Sequence, residues 1–306
     1  MKCDRCNREA VIFQKYSSAH LCKDHFIEDV ERKIKRDIRK YRMVEKGDTI
    51  AIALSGGKDS SALLYILHKL FNNRPDIRLV AISIDEGIHG YRDKTLKRAR
   101  SLTKKLEVPH IIKSFEDAFG ASLDDLLTDR KACSVCGVLR KNLLNQTAKE
   151  ICATKLGLGH NLDDETQTIL MNCLRADINR MMRMIPNNRQ TGLVPRIKPL
   201  RSIPEKEIAL YTYLHDSLLD TDRCPYAPNA LRNDVRSLLN DYETAHPGTK
   251  YALLKGFEKI IESLQQTHTT TPVKKCTECG EPSGSSNICK TCQLIKEARI
   301  RQFVQD

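Results

Sequence analysis

Thr49-Ile50-Ala51-Ile52-Ala53-Leu54-Ser55-Gly56-Gly57-Lys58-Asp59-Ser60-Ser61 holds a strand, a turn and the opening of a helix. Thr49 to Leu54 is an apolar, β-branched run of strand length, and a helix is expected from about Asp59 to Phe71. Between them two glycines allow a tight turn and a close backbone approach to an anion. The N–H groups and positive end of the following helix favour phosphate, to which Ser55, Ser60 and Ser61 add hydroxyls and Lys58 a charge. It is not a Walker A loop, because Ile52 stands where the first glycine belongs and Asp59 follows Lys58. A ligand-free glycine turn is the plain alternative, and the flanking strand and helix argue against it.

Working outward, Ile77–Ile84, His110–Lys113 and Thr154–Leu158 read as further strands. Helices are expected over Tyr91–Lys105, from about Gly137, and over Asp163–Leu174. Strands alternating with helices imply an α/β fold with a parallel, doubly wound sheet, whose ligands sit at the carboxyl ends of the strands. Upstream, Asp24 to Lys46 has helical spacing at Ile27, Val30, Ile34, Ile38 and Tyr41. Eight Lys/Arg lie between Arg32 and Lys46 against Asp37 and Glu45, which suits either a solvated helix face or RNA phosphate. The chain becomes helical again after about Asn240, and His268–Pro272 reads as a linker. The expected division is 1–47 (a Cys/His-rich module and the basic helix), 48–270 (the central α/β domain) and 271–306 (a second cysteine-rich module).

The 306 residues carry 51 Lys+Arg and 39 Asp+Glu, a formal charge of +12. That excess suits solubility or an anionic partner such as nucleic acid. No run approaches the roughly 18 apolar residues of a membrane span, and the opening Met1-Lys2-Cys3-Asp4 is polar, so a cytoplasmic protein with no membrane partner is expected.

In such a chain, twelve cysteines at paired spacings point to metal rather than disulfides. Cys3-x2-Cys6-x15-Cys22-x2-His25 has the spacing of a closed tetrahedral zinc site, with His20 the rival fourth ligand. Cys276-x2-Cys279-x9-Cys289-x2-Cys292 is a four-cysteine knuckle pair for a second Zn²⁺, Gly280 making the turn. Cys133-Ser134-Val135-Cys136, just before a helix, has Cys224 as its one distant partner. Three thiolates suit a 4Fe-4S cluster with one iron open. A redox or persulfide Cys-x-x-Cys with an unrelated Cys224 is the alternative. Cys152 and Cys173 match no motif and are expected in the core.

Ser55-Gly56-Gly57-Lys58-Asp59-Ser60 resembles the PP-loop of the N-type ATP pyrophosphatases. Gly159-His160-Asn161-Leu162-Asp163-Asp164 resembles an element of that family's tRNA-thiolating branch, although Asp163 and Asp164 also suit a helix N-terminus. Cys133-x-x-Cys136-Gly137-Val138-Leu139-Arg140, with Cys224-Pro225 downstream and zinc knuckles at both ends, resembles the tRNA 2-thiouridine synthetases of the archaeal and eukaryotic cytosolic type and their thermophile relatives that thiolate the T-loop. This resemblance spans essentially the whole chain. It implies ATP read by backbone at Ala53 and Ile82, with Gly159 beside the nucleotide. Asp59 and Asp164 are the acids expected near ATP and Mg²⁺, Asp85 being a weaker choice, and Arg140 is expected close to the phosphates.

The implied reaction is adenylation of a tRNA uridine at its C2 oxygen, then attack by sulfide brought by the Cys133/Cys136/Cys224 cluster. Within that reaction Lys58, Asp59 and the three cysteines are the catalytic candidates. The Cys-x-x-Cys-Gly-Val-Leu-Arg context favours the wobble uridine over the T-loop. The Arg32–Lys46 helix, the Arg92–Lys105 helix and the Arg175–Arg201 region are expected to carry the tRNA backbone. The resemblance alone implies a sulfur donor (a ubiquitin-like carrier protein or inorganic sulfide) and a homodimer. Cluster-free persulfide chemistry and a non-catalytic zinc-ribbon nucleic-acid binder are the competing readings.

Overall fold

The computed structural model describes residues 1–126, 132–184, 192–215, 224–226, 232–267, 274–284 and 286–305. The expected linker at His268–Pro272 and the 185–191 part of the basic Arg175–Arg201 stretch lie outside the described residues. No helix among them is long and apolar enough to cross a membrane.

A small hairpin, β1 (Ile12–Gln14) and β2 (Ala19–Leu21), leads into α1 (Lys23–Lys40). The central layer then alternates: β3 (Thr49–Ala53), α2 (Lys58–Phe71), β4 (Arg78–Asp85), α3 (Arg92–Lys105), β5 (His110–Ser114), the short α4 (Phe115–Phe119) and α5 (Leu123–Leu126), α6 (Ala132–Glu150), β6 (Lys155–Gly157), α7 (Leu162–Leu174), α8 (Ile178–Met182) and β7 (Arg196–Ile197). Helices α9 (Glu205–Tyr213), α10 (Arg232–Ala245) and α11 (Thr249–Thr267) follow, then the hairpin β8 (Lys274–Lys275) and β9 (Pro282–Gly284) and the closing α12 (Lys290–Gln305).

The five central strands are all parallel, in the order β5-β4-β3-β6-β7. Strand order therefore reverses between β3 and β6, and the crevice at their carboxyl ends is where a doubly wound sheet binds its ligand. The Thr49–Leu54 run reads as continuously apolar because both sheet faces are covered. Ile50 and Ile52 pack with Phe26, Val30 and Ile34 of α1 and with Tyr211 of α9. Ala51, between them, faces Leu139, Leu143 and Leu144 of α6 together with Leu156 of β6. The basic helix α1 thus shares the core of the sheet.

Three expectations about local structure are corrected. Helix α1 stops at Lys40 rather than Lys46. Arg42 turns left-handed at φ +46°, its N–H reaches the Arg39 carbonyl at 3.2 Å, and the N–H of the fully buried Met43 reaches Ile38 at 2.9 Å. That is a Schellman ending, which usually announces itself by glycine. Helix α6 begins at Ala132, five residues before Gly137, because nothing in Cys133–Cys136 breaks a helix; the thiol pair lies in its first turn. Cys152 and Cys173 are both exposed rather than in the core. Cys173 lies on the outer side of α7, whereas Cys152 is the left-handed residue (φ +53°) that ends α6, its N–H on the Lys149 carbonyl at 2.9 Å and that of Ala153 on Ala148 at 2.9 Å.

A left-handed L-residue is strained by about 1–2 kcal/mol, partly offset by the backbone entropy that a glycine loses. Cys152→Gly is therefore expected to stabilise the fold by about 0.5 kcal/mol in denaturant unfolding, and Cys152→Ala to be neutral. A loss of about 1 kcal/mol or more in the glycine variant would show that the thiol packs after all.

Candidate active site

The loop after β3 is held by its own serines. The Ser55 N–H donates to Ser60 Oγ at 3.2 Å, the two hydroxyls lie 3.0 Å apart, and Gly57 N–H donates to Ser55 Oγ at 3.3 Å. Ser60 Oγ in turn donates to the Gly57 carbonyl at 3.0 Å. Gly57 precedes the first turn of α2, whose N–H groups open toward the crevice. Gly56 is there for two reasons: its φ is +82°, and a Cβ would stand 2.0 Å from the Thr95 carbonyl oxygen. Behind the loop, the buried Arg92 donates to the carbonyls of Ser55 (2.6 Å) and Ile84 (2.7 Å). Ser83 Oγ donates to the Leu54 carbonyl at 2.6 Å. Ala53 and Ile82 are register partners at the carboxyl ends of β3 and β4, and Leu54 N–H donates to the Ile82 carbonyl at 2.8 Å.

Across the switch point the loop after β6 presses on this turn, where a Cβ on Gly159 would meet Ser60 N at 3.0 Å. Asn161 and Asp164 form a reciprocal capping box at the start of α7, and Asn161 Nδ2 also donates to Asp59 at 3.2 Å. Lys58 Nζ lies between Asp59 (3.0 Å) and Glu205 (2.8 Å), and Arg236 also pairs with Glu205 at 2.7 Å. Arg232 reaches Asp164 at 3.3 Å. Asp163 faces the other way, accepting Glu205 N–H at 2.7 Å and pairing with Lys250. Burial pushes the Asp164 carboxyl up to about 6; the charges of Asp59 and Glu205 add to this, against the Asn161 N–H and Arg232. Burial likewise raises Asp59. Neighbouring carboxylates that resist ionisation together are hard oxygen donors suited to Mg²⁺. Asp85 is taken up locally, accepting Gly87 N–H at 3.0 Å.

Cys133 and Cys136, three apart, share one side of the first turn of α6. Residues 224–226 lie against them, with Cys133 Sγ 3.5 Å from the Tyr226 carbonyl and the Tyr226 hydroxyl on Asp124 at 2.7 Å. Burial pushes the Cys136 thiol up to about 11; Arg140 opposes this, and Glu86, Cys224 and Cys133 add to it. Among the described residues, only two groups of three or more Cys, His, Asp or Glu ligand atoms lie within 4.8 Å of one another, and these thiols form neither. Sulfurs on one zinc ion sit at most about 4.6 Å apart, twice the Zn–S length. The three thiols are thus not drawn together as the terminal sets are, and a donor set of three thiolates is of the kind that holds an iron–sulfur cluster.

The two close groups are the terminal modules. Cys3, Cys6, Cys22 and His25 converge, with His25 Nδ1 3.3 Å from Cys3 Sγ and 3.4 Å from Cys22 Sγ. His20, the rival ligand, instead stacks on Phe13, ring centroids 4.4 Å apart. Cys276, Cys279, Cys289 and Cys292 converge likewise, with Cys279 and Cys289 at 3.5 Å. Both sets fit a tetrahedral zinc ion. The second module docks on α6, where Glu281 pairs with Lys149 at 2.7 Å and accepts from Asn145 at 2.9 Å.

An ion chain centred on the buried Glu86, which the sequence did not reveal, joins the thiol helix to the phosphate loop. Glu86 pairs with Arg140 of α6 at 3.5 Å and with Arg92 at 2.8 Å, and Arg92 holds the Ser55 carbonyl. Glu205, Arg232 and Arg236 were missed too, since they reach the site from distant segments. The expected RNA-binding surfaces change accordingly. Arg92 is internal, leaving Lys94, Lys97, Arg100, Lys104 and Lys105 exposed on α3. On α1, Arg32 and Lys33 pair with Asp29, Arg36 with Asp37 and Lys40 with Glu258, so much of that charge is balanced internally.

Comparison with known proteins follows this geometry. The PP-loop domain family matches residues 27–242, and the family described as 2-thiouridine synthetase TtuA, N-terminal LIM domain, matches residues 2–27. The chain is 39% identical over 317 residues to the tRNA 2-thiolation protein NcsA of Haloferax volcanii, covering 97% of this chain and 98% of that one. It is 33% identical over 295 residues to the tRNA-5-methyluridine(54) 2-sulfurtransferase of Pyrococcus horikoshii, covering 96% and 93%. It also superimposes on the U34-tRNA thiolase NcsA from Methanococcus maripaludis, solved with its 4Fe-4S cluster, at a TM-score of 0.85, 31% identity and 98% coverage of both chains.

Proposed function

This chain belongs to the PP-loop family of tRNA 2-thiolation proteins, and on that premise we propose that it is an ATP-dependent sulfurtransferase that makes 2-thiouridine in tRNA. The observation that carries this reading is the Arg140–Glu86–Arg92–Ser55 chain, through which one buried carboxylate serves both the thiol helix and the phosphate loop. Activation and sulfur delivery must meet at one carbon, and this linkage holds their two supports in register.

The uracil C2 carbonyl is a poor electrophile. Its oxygen attacks the α-phosphorus of ATP, the N3 proton is lost, and pyrophosphate leaves. A sulfide then adds at C2, AMP departs with the original oxygen, and C2=S remains. The Ser55–Ser61 loop and Lys58 bind the departing pyrophosphate, while Ala53, Ile82 and Gly159 flank the nucleotide. Asp59 and Asp164 would hold Mg²⁺, which supplies charge neutralisation across the phosphates. Arg140, exposed over 46% of its side chain, faces the charge that develops at phosphorus. Cys133, Cys136 and Cys224 would hold a 4Fe-4S cluster, which supplies a sulfide-binding iron without redox turnover of a cysteine. Cys3, Cys6, Cys22 and His25, and the four C-terminal cysteines, would each hold a structural zinc.

The substrate we favour is the wobble uridine, supported by the full-length superposition on a U34 thiolase; the 33% identity to a position-54 enzyme makes the T-loop the second reading. A cytoplasmic homodimer supplied by a ubiquitin-like carrier or inorganic sulfide completes the proposal. Isotope tracing tests the adenylation: with 18O at uridine O2, the AMP recovered after thiolation carries the label. Unlabelled AMP, or ADP with phosphate as products, would refute it.

A further inference from the structure

Beside the thiols lies a group of cations, two of which the proposed chemistry does not use. Most have an acid of their own: Arg140 has Glu86, Arg232 has Asp164, Arg180 has Asp177 at 3.0 Å, and Lys198 has Glu165 at 2.6 Å. Lys141 of α6 and Arg196 of β7 have no acidic partner among the described residues. They stand close together, since Arg196 is the register partner of Leu156 on the sheet face that α6 covers. Burial lowers the Lys141 ammonium, and the charges of Arg196, Arg140, Arg232 and Arg180 lower it further. His160, which feels the charge of Lys141, is held well below the usual histidine range by burial and by Lys198, Arg232, Lys141 and Arg140, and it brings no negative charge. Yet Lys141 is exposed and Arg196 partly so, which leaves both within reach of a ligand from solvent.

Two facing cations without an acid repel each other, and the arrangement is favourable when an anion sits between them. The position says which anion. The phosphate loop follows β3, two strands inward from Arg196 on the edge strand β7, and the exposed Arg180 lies on α8, the helix that precedes that edge strand. We infer that Lys141 and Arg196 seat a backbone phosphate of the tRNA strand beside the nucleotide being modified, with Arg180 carrying the strand outward. This deepens the tRNA reading above and rests on it.

The test measures tRNA binding to the full-length protein without ATP or sulfide across a salt series, alongside ATP binding. Each lost phosphate contact lowers the log–log salt slope by about 0.7–0.9. Lys141→Ala/Arg196→Ala should therefore lower it by about 1.5 and weaken tRNA binding roughly thirtyfold at moderate salt, leaving ATP affinity unchanged. Lys141→Arg and Arg196→Lys keep the charge and should keep the wild-type slope, which separates lost contacts from a damaged fold. An unchanged slope in the double variant overturns the inference, and so does a loss of ATP affinity with tRNA binding intact, which would assign the pair to the nucleotide's phosphates. Wild-type protein that fails to bind tRNA would instead sink the parent reading.

Discussion

Cys224→Ala is expected to abolish thiolation, by at least about a thousandfold, the scale on which a member of a reacting constellation acts. Cys224 is the one thiol of its set that comes from outside α6, so its loss leaves two ligands on one helical turn, too few to enclose a cluster. Nucleotide binding should stay within about twofold, because the phosphate loop is held by β3, α2 and Arg92, whereas the polar contacts of residues 224–226 run to Cys133 and Asp124. The assay is nucleoside mass spectrometry of tRNA after anaerobic turnover, paired with ATP titration. A variant that thiolates at the wild-type rate would remove the three-cysteine site from the mechanism. One that loses both activities would mean that the segment is structural.

Gly56→Ala carries the second large effect. The added methyl would stand 2.0 Å from a backbone oxygen that α3 cannot move without unwinding, at a φ of +82° that alanine resists. Strain of this kind costs about 2–4 kcal/mol where the loop must hold its shape. ATP affinity should fall by roughly a hundredfold or more, since about 2.7 kcal/mol corresponds to that factor. Gly90→Ala is the control: its φ is +70° but nothing lies within 4 Å of the new Cβ, so only the conformational cost of about 1 kcal/mol applies. If Gly56→Ala binds ATP normally, the turn is not the phosphate cradle.

The features legible in sequence were those written locally. The Thr49–Ser61 segment specified strand, turn and helix because apolar run, paired glycines and hydroxyls follow one another without a gap, and the convergence of both terminal Cys/His sets was legible from their spacing. The end of α1 and the exposure of Cys152 were not, for one physical reason. Helices α1, α3, α6 and α7 are followed by Arg42, Glu107, Cys152 and Ala176, all at φ between +46° and +54°. These are left-handed terminators without the glycine that would mark them. Strand β7 is two residues long and too short for any periodicity to register. The Glu86–Arg92–Arg140 chain was invisible because its charges lie on three elements, and Arg92 read as one more surface cation of a basic helix until the fold turned it inward.

On the proposed mechanism, ATP activation and sulfur insertion occur on one tRNA uridine at the junction of the phosphate loop and the three thiols. The direct measurement is anaerobic incubation of the iron–sulfur-loaded protein with unmodified tRNA, ATP, Mg²⁺ and sulfide. Nucleoside mass spectrometry then maps the product while AMP and pyrophosphate are quantified. The expected product is 2-thiouridine at a single position, the wobble base, with one AMP and one pyrophosphate formed per sulfur inserted. Thiolation without pyrophosphate release, or full activity in iron-free protein, would contradict it.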